Sequence, residues 1–286
     1  MSGATRSVGA RRPRVARVGE VVRISRLTPH MIRVVLGGEG LAGFPAGEFT
    51  DHYVKLLFPP PGAPYSAPFD VEQIRAELPQ EHWPVTRTYT VRAWNPDSGE
   101  LTIDFVYHGD EGLAGPWAAA ATPGDRIQMF GPGGAYAPSP TADWHLLVGD
   151  ESALPAIGAA LTRLPARRPA LVFVEVAGPE EEQTDLVLGE AVELVWVHRG
   201  SQAPGAAVAA AVRLAQLPAG TGHAFVHGEA GLVRELRLHL RTERGLAPES
   251  TSISGYWRLG RTDEDWRAEK RDWTAEVEAA EKTLAG

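Results

Sequence analysis

A chain of 286 residues is long for one domain and comfortable for two, and 43% hydrophobic with 22% charged residues is the balance of an ordinary globular protein, which excludes wholesale disorder. The absence of cysteine excludes disulfides, thiolate-ligated iron–sulfur clusters and a cysteine nucleophile, so redox chemistry has to come from a bound organic cofactor or a metal substrate. The net charge of -8 is spread unevenly, with seven Arg against Glu20 alone between Met1 and Arg26.

That basic arm carries no interleaved aromatics and the rest of the chain is acidic, so a solvated tail running into a first strand is expected, with no nucleic-acid partner. No apolar run reaches the ~18 residues of a spanning helix, and Arg11-Arg12 is not followed by an apolar signal core; no membrane and a cytoplasmic location are expected. Short β-rich runs at 18–26, 31–37, 53–58, 87–94, 101–108 and 125–130, punctuated by Gly, Pro, Asn and Asp, predict a six-stranded antiparallel barrel. Residues 59–84 break the pattern with Pro59-Pro60-Pro61-Gly62 and a helix-capable stretch at 72–77, which reads as a surface excursion.

The run Arg87-Thr88-Tyr89-Thr90-Val91-Arg92 alternates as a strand should, with Arg87, Tyr89 and Val91 on one face and Thr88, Thr90 and Arg92 on the other. A fork of donors, a flat ring and small hydroxyls are what a flavin dinucleotide needs for its pyrophosphate, its ring and its ring nitrogens. The same string also fits an ordinary barrel strand with an exposed Arg. Downstream, His108-Gly109-Asp110-Glu111-Gly112-Leu113-Ala114-Gly115-Pro116-Trp117-Ala118 predicts glycines ahead of a short helix with Pro116 in its first turn, an arrangement that suits a pyrophosphate or a plain tight crossover. Gly131-Pro132-Gly133-Gly134 fits a turn out of the barrel.

After the uncharged break Ala137-Pro138-Ser139-Pro140 the pattern changes. Strands at 145–149, 170–176, 192–197 and 224–226 alternate with helices at 153–164, 206–217 and 231–244, which predicts a parallel α/β layer and domains of 1–137 and 138–286. Gly149-Asp150-Glu151-Ser152-Ala153-Leu154-Pro155 falls where open α/β sheets bind nucleotides, yet it has no G-x-G-x-x-G and reads equally as a helix cap. Glu229, at a second such corner, suits a nicotinamide amide or the dipole of its own helix. From Glu264 on, Trp266, Trp273, Val277 and Leu284 share roughly one helical face, which should pack on the body.

Arg87 to Arg92, His108 to Ala118, Pro123-Gly124-Asp125, Gly131 to Gly134, Asp150-Glu151-Ser152-Ala153-Leu154-Pro155-Ala156-Ile157 and Gly255-Tyr256-Trp257-Arg258 occur in register between about 50 and 262. In this they resemble the siderophore-interacting protein family of the ferredoxin–NADP reductase superfamily. The resemblance implies an FAD-binding β barrel plus an α/β, nucleotide-binding-like domain, and reduction of ferric siderophores with electrons from NADH, NADPH or a ferredoxin. It places Arg87 on the pyrophosphate, Tyr89 against the isoalloxazine and Thr90, beside Thr88, near its reactive edge. Gly115, Trp117 and Ala118 would follow the pyrophosphate, and His108 the ribityl or phosphate. Asp150, Glu151, Ser152, Ala153, Tyr256 and Trp257 complete the expected cofactor set, Trp257 being as well suited to core packing. Anionic ferric chelates call for cations, for which Lys55, Arg258 and Arg261 are candidates, although each also fits a solvated surface charge.

Glu175 and Glu180-Glu181-Glu182 speak against a 2′-phosphate site, although His198-Arg199-Gly200 after another strand could serve instead, so NADH is expected to serve at least as well as NADPH; Arg163, Arg167 and Arg168 would suit an acidic ferredoxin. A monomer is expected. A general flavin or electron-transfer reductase, or a flavin-free chelate-binding module, are the alternative readings.

Overall fold

A computed structural model describes residues 16–285. Of the basic arm, Arg6, Arg11, Arg12 and Arg14 lie outside the described residues, while Arg17, Arg23 and Arg26 sit on the first strand. The first half forms β1 (Arg17–Thr28), β2 (Met31–Gly37), β3 (Tyr53–Phe58), β4 (Val85–Thr90), β5 (Ala93–Asn95), β6 (Glu100–Val106) and β7 (Arg126–Gly133). They pair antiparallel in the order β4-β3-β7-β1-β2-β6-β5. Val34, Leu36, Val54, Leu56, Leu101, Ile103 and Phe105 turn inward and are fully buried. Each such side chain contributes about 1.5–3 kcal/mol relative to exposure.

Seven strands replace the expected six because the run 87–94 is broken. Val91 N–H donates back to His52 O of the β3 side at 2.7 Å, whereas Arg92 N–H donates to Thr102 O on β6 at 2.9 Å. The chain therefore crosses from one edge of the sheet to the other at this corner. The ladder stays open, and its two edge strands are joined by consecutive residues.

Between β3 and β4, α1 (Val71–Glu77) is capped by Asp70 and buries Val71 and Ile74. The excursion is thus anchored, and Gln128 of β7 bonds both the N–H and the C=O of Phe69. Between β6 and β7, α2 (Ala114–Ala120) crosses the end of the sheet.

The second half is a parallel sheet, β10-β9-β8-β11-β12, of β8 (Trp144–Gly149), β9 (Ala170–Val176), β10 (Val192–His198), β11 (Gly222–Glu229) and β12 (Thr251–Trp257). Alternation along β8 sends Leu147 to one face and Leu146 and Val148 to the other. The first face packs on α3 (Leu154–Leu161), the second on α4 (Ala206–Leu214) and α5 (Ala230–Leu238). The fourth strand of the α/β pattern, expected at 224–226, runs from Gly222 to Glu229, and α5 ends in a π turn at His239–Glu243. The final helix, α6 (Asp263–Ala285), buries Trp266 and Val277 as expected, with Trp273 half-buried, but Leu284 is 63% exposed.

Candidate functional site

The open edge of the first sheet and the C-terminal crest of the second enclose a crevice of about 980 Å³. Arg87, Thr88, Tyr89 and Thr90 of β4 all line it, because an edge strand presents both its faces and its rim. Lys55 lies beside them, opposite Thr88 in the β3–β4 register. His108, Gly112 and Gly115 enter ahead of or within α2, Glu151 and Ser152 from the corner after β8, and Tyr256 and Trp257 from the end of β12.

Local chemistry explains these placements. Tyr89 packs on Phe105 with ring centroids 4.4 Å apart, and burial pushes its phenol pKa up. Burial does the same to Tyr256, whose hydroxyl has Thr90 as its hydrogen-bonding neighbour. Tyr53 of β3, which the sequence reading missed, lies on Gly133; a Cβ there would sit 2.5 Å from its ring, so the glycine run is what lets the ring into the crevice wall. Arg87 is held by two carboxylates of α6, at 2.6 Å from Glu264 and 3.4 Å from Asp263. A guanidinium that already gathers carboxylate oxygens is chemically suited to a pyrophosphate.

Other expected site residues lie elsewhere. Ala118 is fully buried in the first core, and the Trp117 ring packs edge-on to Phe58 and against Phe105 at 6.0 and 5.7 Å. Ala153 is fully buried under α3. Asp150 is a buried hub rather than a ligand-facing acid. Its Oδ1 accepts from Ser152 N–H (2.9 Å) and Oγ–H (2.5 Å), and its Oδ2 from Glu229 N–H and Trp257 Nε1–H, both at 2.8 Å. Burial pushes its carboxyl pKa up against the pull of those hydrogen bonds. Gly228 (φ 136°) is needed beside it, since a Cβ there would stand 2.7 Å from Oδ2. Glu229 caps α5 by accepting from Gly231 and Leu232 N–H, the helix-end role that was one of its two expected readings. Arg258 and Arg261 are outside the crevice lining, and both pair with Glu269.

The acidic residues near β9 also have structural partners. Glu175, fully buried, accepts from Gly205 and Val208 N–H at the start of α4 and from Arg199. Glu181 joins the two halves by accepting from Thr28 Oγ–H (2.6 Å) and His30. Burial works to raise its pKa, and these bonds outweigh that and hold it below the usual carboxylate range. Arg199, which does line the crevice, is shared between Glu151 (2.8 Å) and Glu175 (3.2 Å). Arg163, Arg167 and Arg168 follow the C-terminal end of α3, away from the strand ends that open on the crevice.

The corner that begins at His227 was expected at this crevice and His227 does line it, whereas Ser252, Ser254 and Lys270 in its wall carried no signal that the sequence reading used. Among the described residues no cluster of three or more His, Asp or Glu has the form of a metal site, and no helix is long and apolar enough to cross a membrane.

Residues 20–136 match the siderophore-interacting FAD-binding domain, and residues 142–260 match the siderophore-interacting protein domain. The chain belongs to the siderophore-interacting protein family. It is 34% identical over 256 residues to the ferric vibriobactin reductase of Vibrio cholerae, covering 89% of this chain and 93% of that one. It is 31% identical over 239 residues to the NADPH-dependent ferric-chelate reductase of Escherichia coli, covering 83% and 91%. Among solved structures, the siderophore-interacting protein of Aeromonas hydrophila superposes with a TM-score of 0.78 at 31% identity, covering 92% of this chain and 99% of that one. Siderophore-interacting proteins have a ferredoxin reductase-like fold, and this chain is a flavin oxidoreductase of that family.

Proposed function

We propose that this protein reduces a ferric siderophore to the ferrous form, using FAD held in the crevice and electrons from a nicotinamide. The observation that carries the reading is the convergence of Arg87, Tyr89 and Thr90 with Tyr256 and Trp257 on one crevice between the two sheets, in a chain of this family. Arg87 would bind the pyrophosphate, Tyr89 or Tyr256 would flank the ring, and Thr88, Thr90 and Ser152 would supply hydroxyls. FAD supplies the step from a two-electron donor to a one-electron acceptor. The protein's part is positioning, exclusion of water and binding of charge, so no general base is assigned. Loss of iron follows from chemistry, since ferrous iron is a poorer match for hard oxygen ligands.

For the donor, Arg199 is the cation nearest the crest of β9 and β10, and a 2′-phosphate would compete there with Glu151 and Glu175. We take NADH to serve at least as well as NADPH; turnover strongly selective for NADPH would refute this.

The reading is tested by the anaerobic visible spectrum of the purified protein with FAD. Flavin bands should bleach on adding NADH and recover on adding a ferric siderophore while a ferrous chelator colours. Failure to bind FAD at all would overturn the proposal.

A further inference from the structure

Beside the crevice the two halves are joined by a buried carboxylate. β9 ends at Val176, Ala177 lines the crevice, and one helical turn, Pro179–Glu181, follows. Glu181 is 3% exposed and turns both its oxygens to the corner between β1 and β2. One oxygen accepts from Thr28 Oγ–H at 2.6 Å and from His30 N–H at 3.2 Å, and the other bonds the His30 ring at Nδ1. Further along the same segment Asp185 pairs with Arg33 of β2, whose fork is also held by Asp104 of β6 at 2.6 and 2.7 Å.

This tie sets each lining of the crevice against the other. In the first half, His30 itself lines the crevice, and its C=O accepts from Tyr107 N–H at 2.9 Å, directly ahead of the stretch that brings His108, Gly112 and Gly115 to the same space. In the second half, Glu181 N–H donates to Gly178 O at 3.0 Å, the Glu182 carboxylate bonds His198 at 2.7 Å, and Arg199 N–H donates to Val176 O at 2.9 Å. The segment is thus fastened to the crest of β9 and β10, where open α/β sheets hold a nucleotide. A displacement of Glu181 moves that crest against the His108 stretch.

The choice of residue points to alignment. Apolar burial alone would hold the halves together without a preferred angle, since it is non-directional. A carboxylate with three partners on one corner fixes distance and direction, and burying it is costly unless those partners are in place. The step proposed above needs such alignment. A hydride, two electrons with one proton, passes from NADH, which becomes NAD⁺, to the oxidised flavin, which becomes reduced, and a misplacement of about 1 Å costs on the order of 100-fold in rate. The residues assigned to FAD, Arg87 to Thr90, lie on β4, separated from β1 by β3 and β7.

We propose that Glu181 is a positioning residue: by gripping Thr28 and His30 it sets the nucleotide-facing crest of the second half against the flavin-facing lining of the first, and so governs the rate of hydride delivery without governing retention of FAD. The inference rests on the flavin and nicotinamide reading above.

The test is anaerobic stopped-flow reduction of the FAD-loaded protein, with the limiting rate of flavin bleaching read at saturating NADH. Glu181→Ala should lower that rate about tenfold or more, while the FAD dissociation constant and the rate of bleaching by dithionite change less than about twofold. Glu181→Gln can keep all three contacts, its oxygen accepting from Thr28 Oγ–H and His30 N–H and its NH₂ donating to the ring, so it should restore most of the loss. Thr28→Val, which removes one donor at nearly the same shape, should slow bleaching by NADH about two- to fivefold. A readout without flavin or turnover is amide hydrogen exchange of the apoprotein, which should speed up at residues 28–31 in Glu181→Ala and stay slow in β8. The assignment is overturned by a limiting rate within about twofold of wild type in Glu181→Ala, by a Gln variant as slow as the Ala variant, or by an equal loss with dithionite or of FAD itself. Wild type that dithionite bleaches and neither NADH nor NADPH does overturns the nicotinamide reading itself, so the two failures are distinguishable.

Discussion

Replacing Asp150 by Asn keeps the size of the side chain and removes half of what it does. In the wild type Oδ1 serves the Ser152 N–H and hydroxyl, and Oδ2 serves the Glu229 N–H and the Trp257 indole. The asparagine oxygen can keep the first pair, but its NH₂ group then meets two donors. Each buried donor left without an acceptor costs about 1–3 kcal/mol, and the relief of burying a neutral group returns part of that. The expected loss is about 2–4 kcal/mol, or roughly 3–7 °C in Tm for a chain of this size. Thermal or urea unfolding of the FAD-loaded protein measures it, with Ser152→Ala as a milder companion costing under about 1 kcal/mol. A double-mutant cycle with Trp257→Phe isolates the indole contact and should return a coupling of about 1–2 kcal/mol. Asp150→Asn within about 0.5 kcal/mol of wild type, or no coupling to Trp257, would refute the hub.

Glu264→Gln takes one carboxylate off Arg87 and should tighten FAD binding to the apoprotein about two- to fivefold, a modest figure because Glu264 is 56% exposed; an unchanged or weaker dissociation constant in a flavin-fluorescence titration contradicts a shared anion clamp. His145 is fully buried with neither ring nitrogen bonded among the described residues, and burial holds it neutral down to about pH 4. The unfolded chain takes up the proton first, so the stability it confers is complete above about pH 6.5 and is lost as pH falls toward 4, at up to about 1.4 kcal/mol per pH unit. His145→Leu should flatten that part of the unfolding profile, and an identical pH dependence in the variant would count against the assignment. Gly158→Ala in α3 gains helix propensity of about 1 kcal/mol, yet its Cβ would stand 2.7 Å from Arg92 Nε, so a net loss of about 1–2 kcal/mol in denaturant unfolding is expected and a stabilised variant would disprove the close contact.

What the sequence made legible was whatever depends on near neighbours. Alternation from Arg87 and the helical spacing after Glu264 are local patterns; α6 formed where its pattern lay, whereas the strand expected at 87–94 runs from Val85 to Thr90. The corner at Val91 and Arg92 was invisible because it is set by His52 just ahead of β3 and Thr102 on β6, and no residue within the run announces it. Trp117 and Ala118 share a string with Gly115, but α2 turns only its leading edge to the crevice, and a sequence of small residues around one Trp fits a cradle and a core equally. Asp150 has the opposite history. An acid at a strand-to-helix corner looks like a ligand contact, whereas its partners Glu229 and Trp257 lie 79 and 107 residues away and become neighbours only when β8, β11 and β12 align. Arg258 and Arg261 looked like free cations until α6 supplied Glu269, and the same helix brought in Lys270. Charge in this crevice is therefore decided by pairing rather than by presence. A cation can be read from sequence, but its availability to a ligand depends on which carboxylates the fold sets beside it, and here α6 sets carboxylates on Arg87 and Arg267 of the crevice and on Arg258 and Arg261 outside it, while its own Lys270 has no carboxylate at ion-pair distance among the described residues.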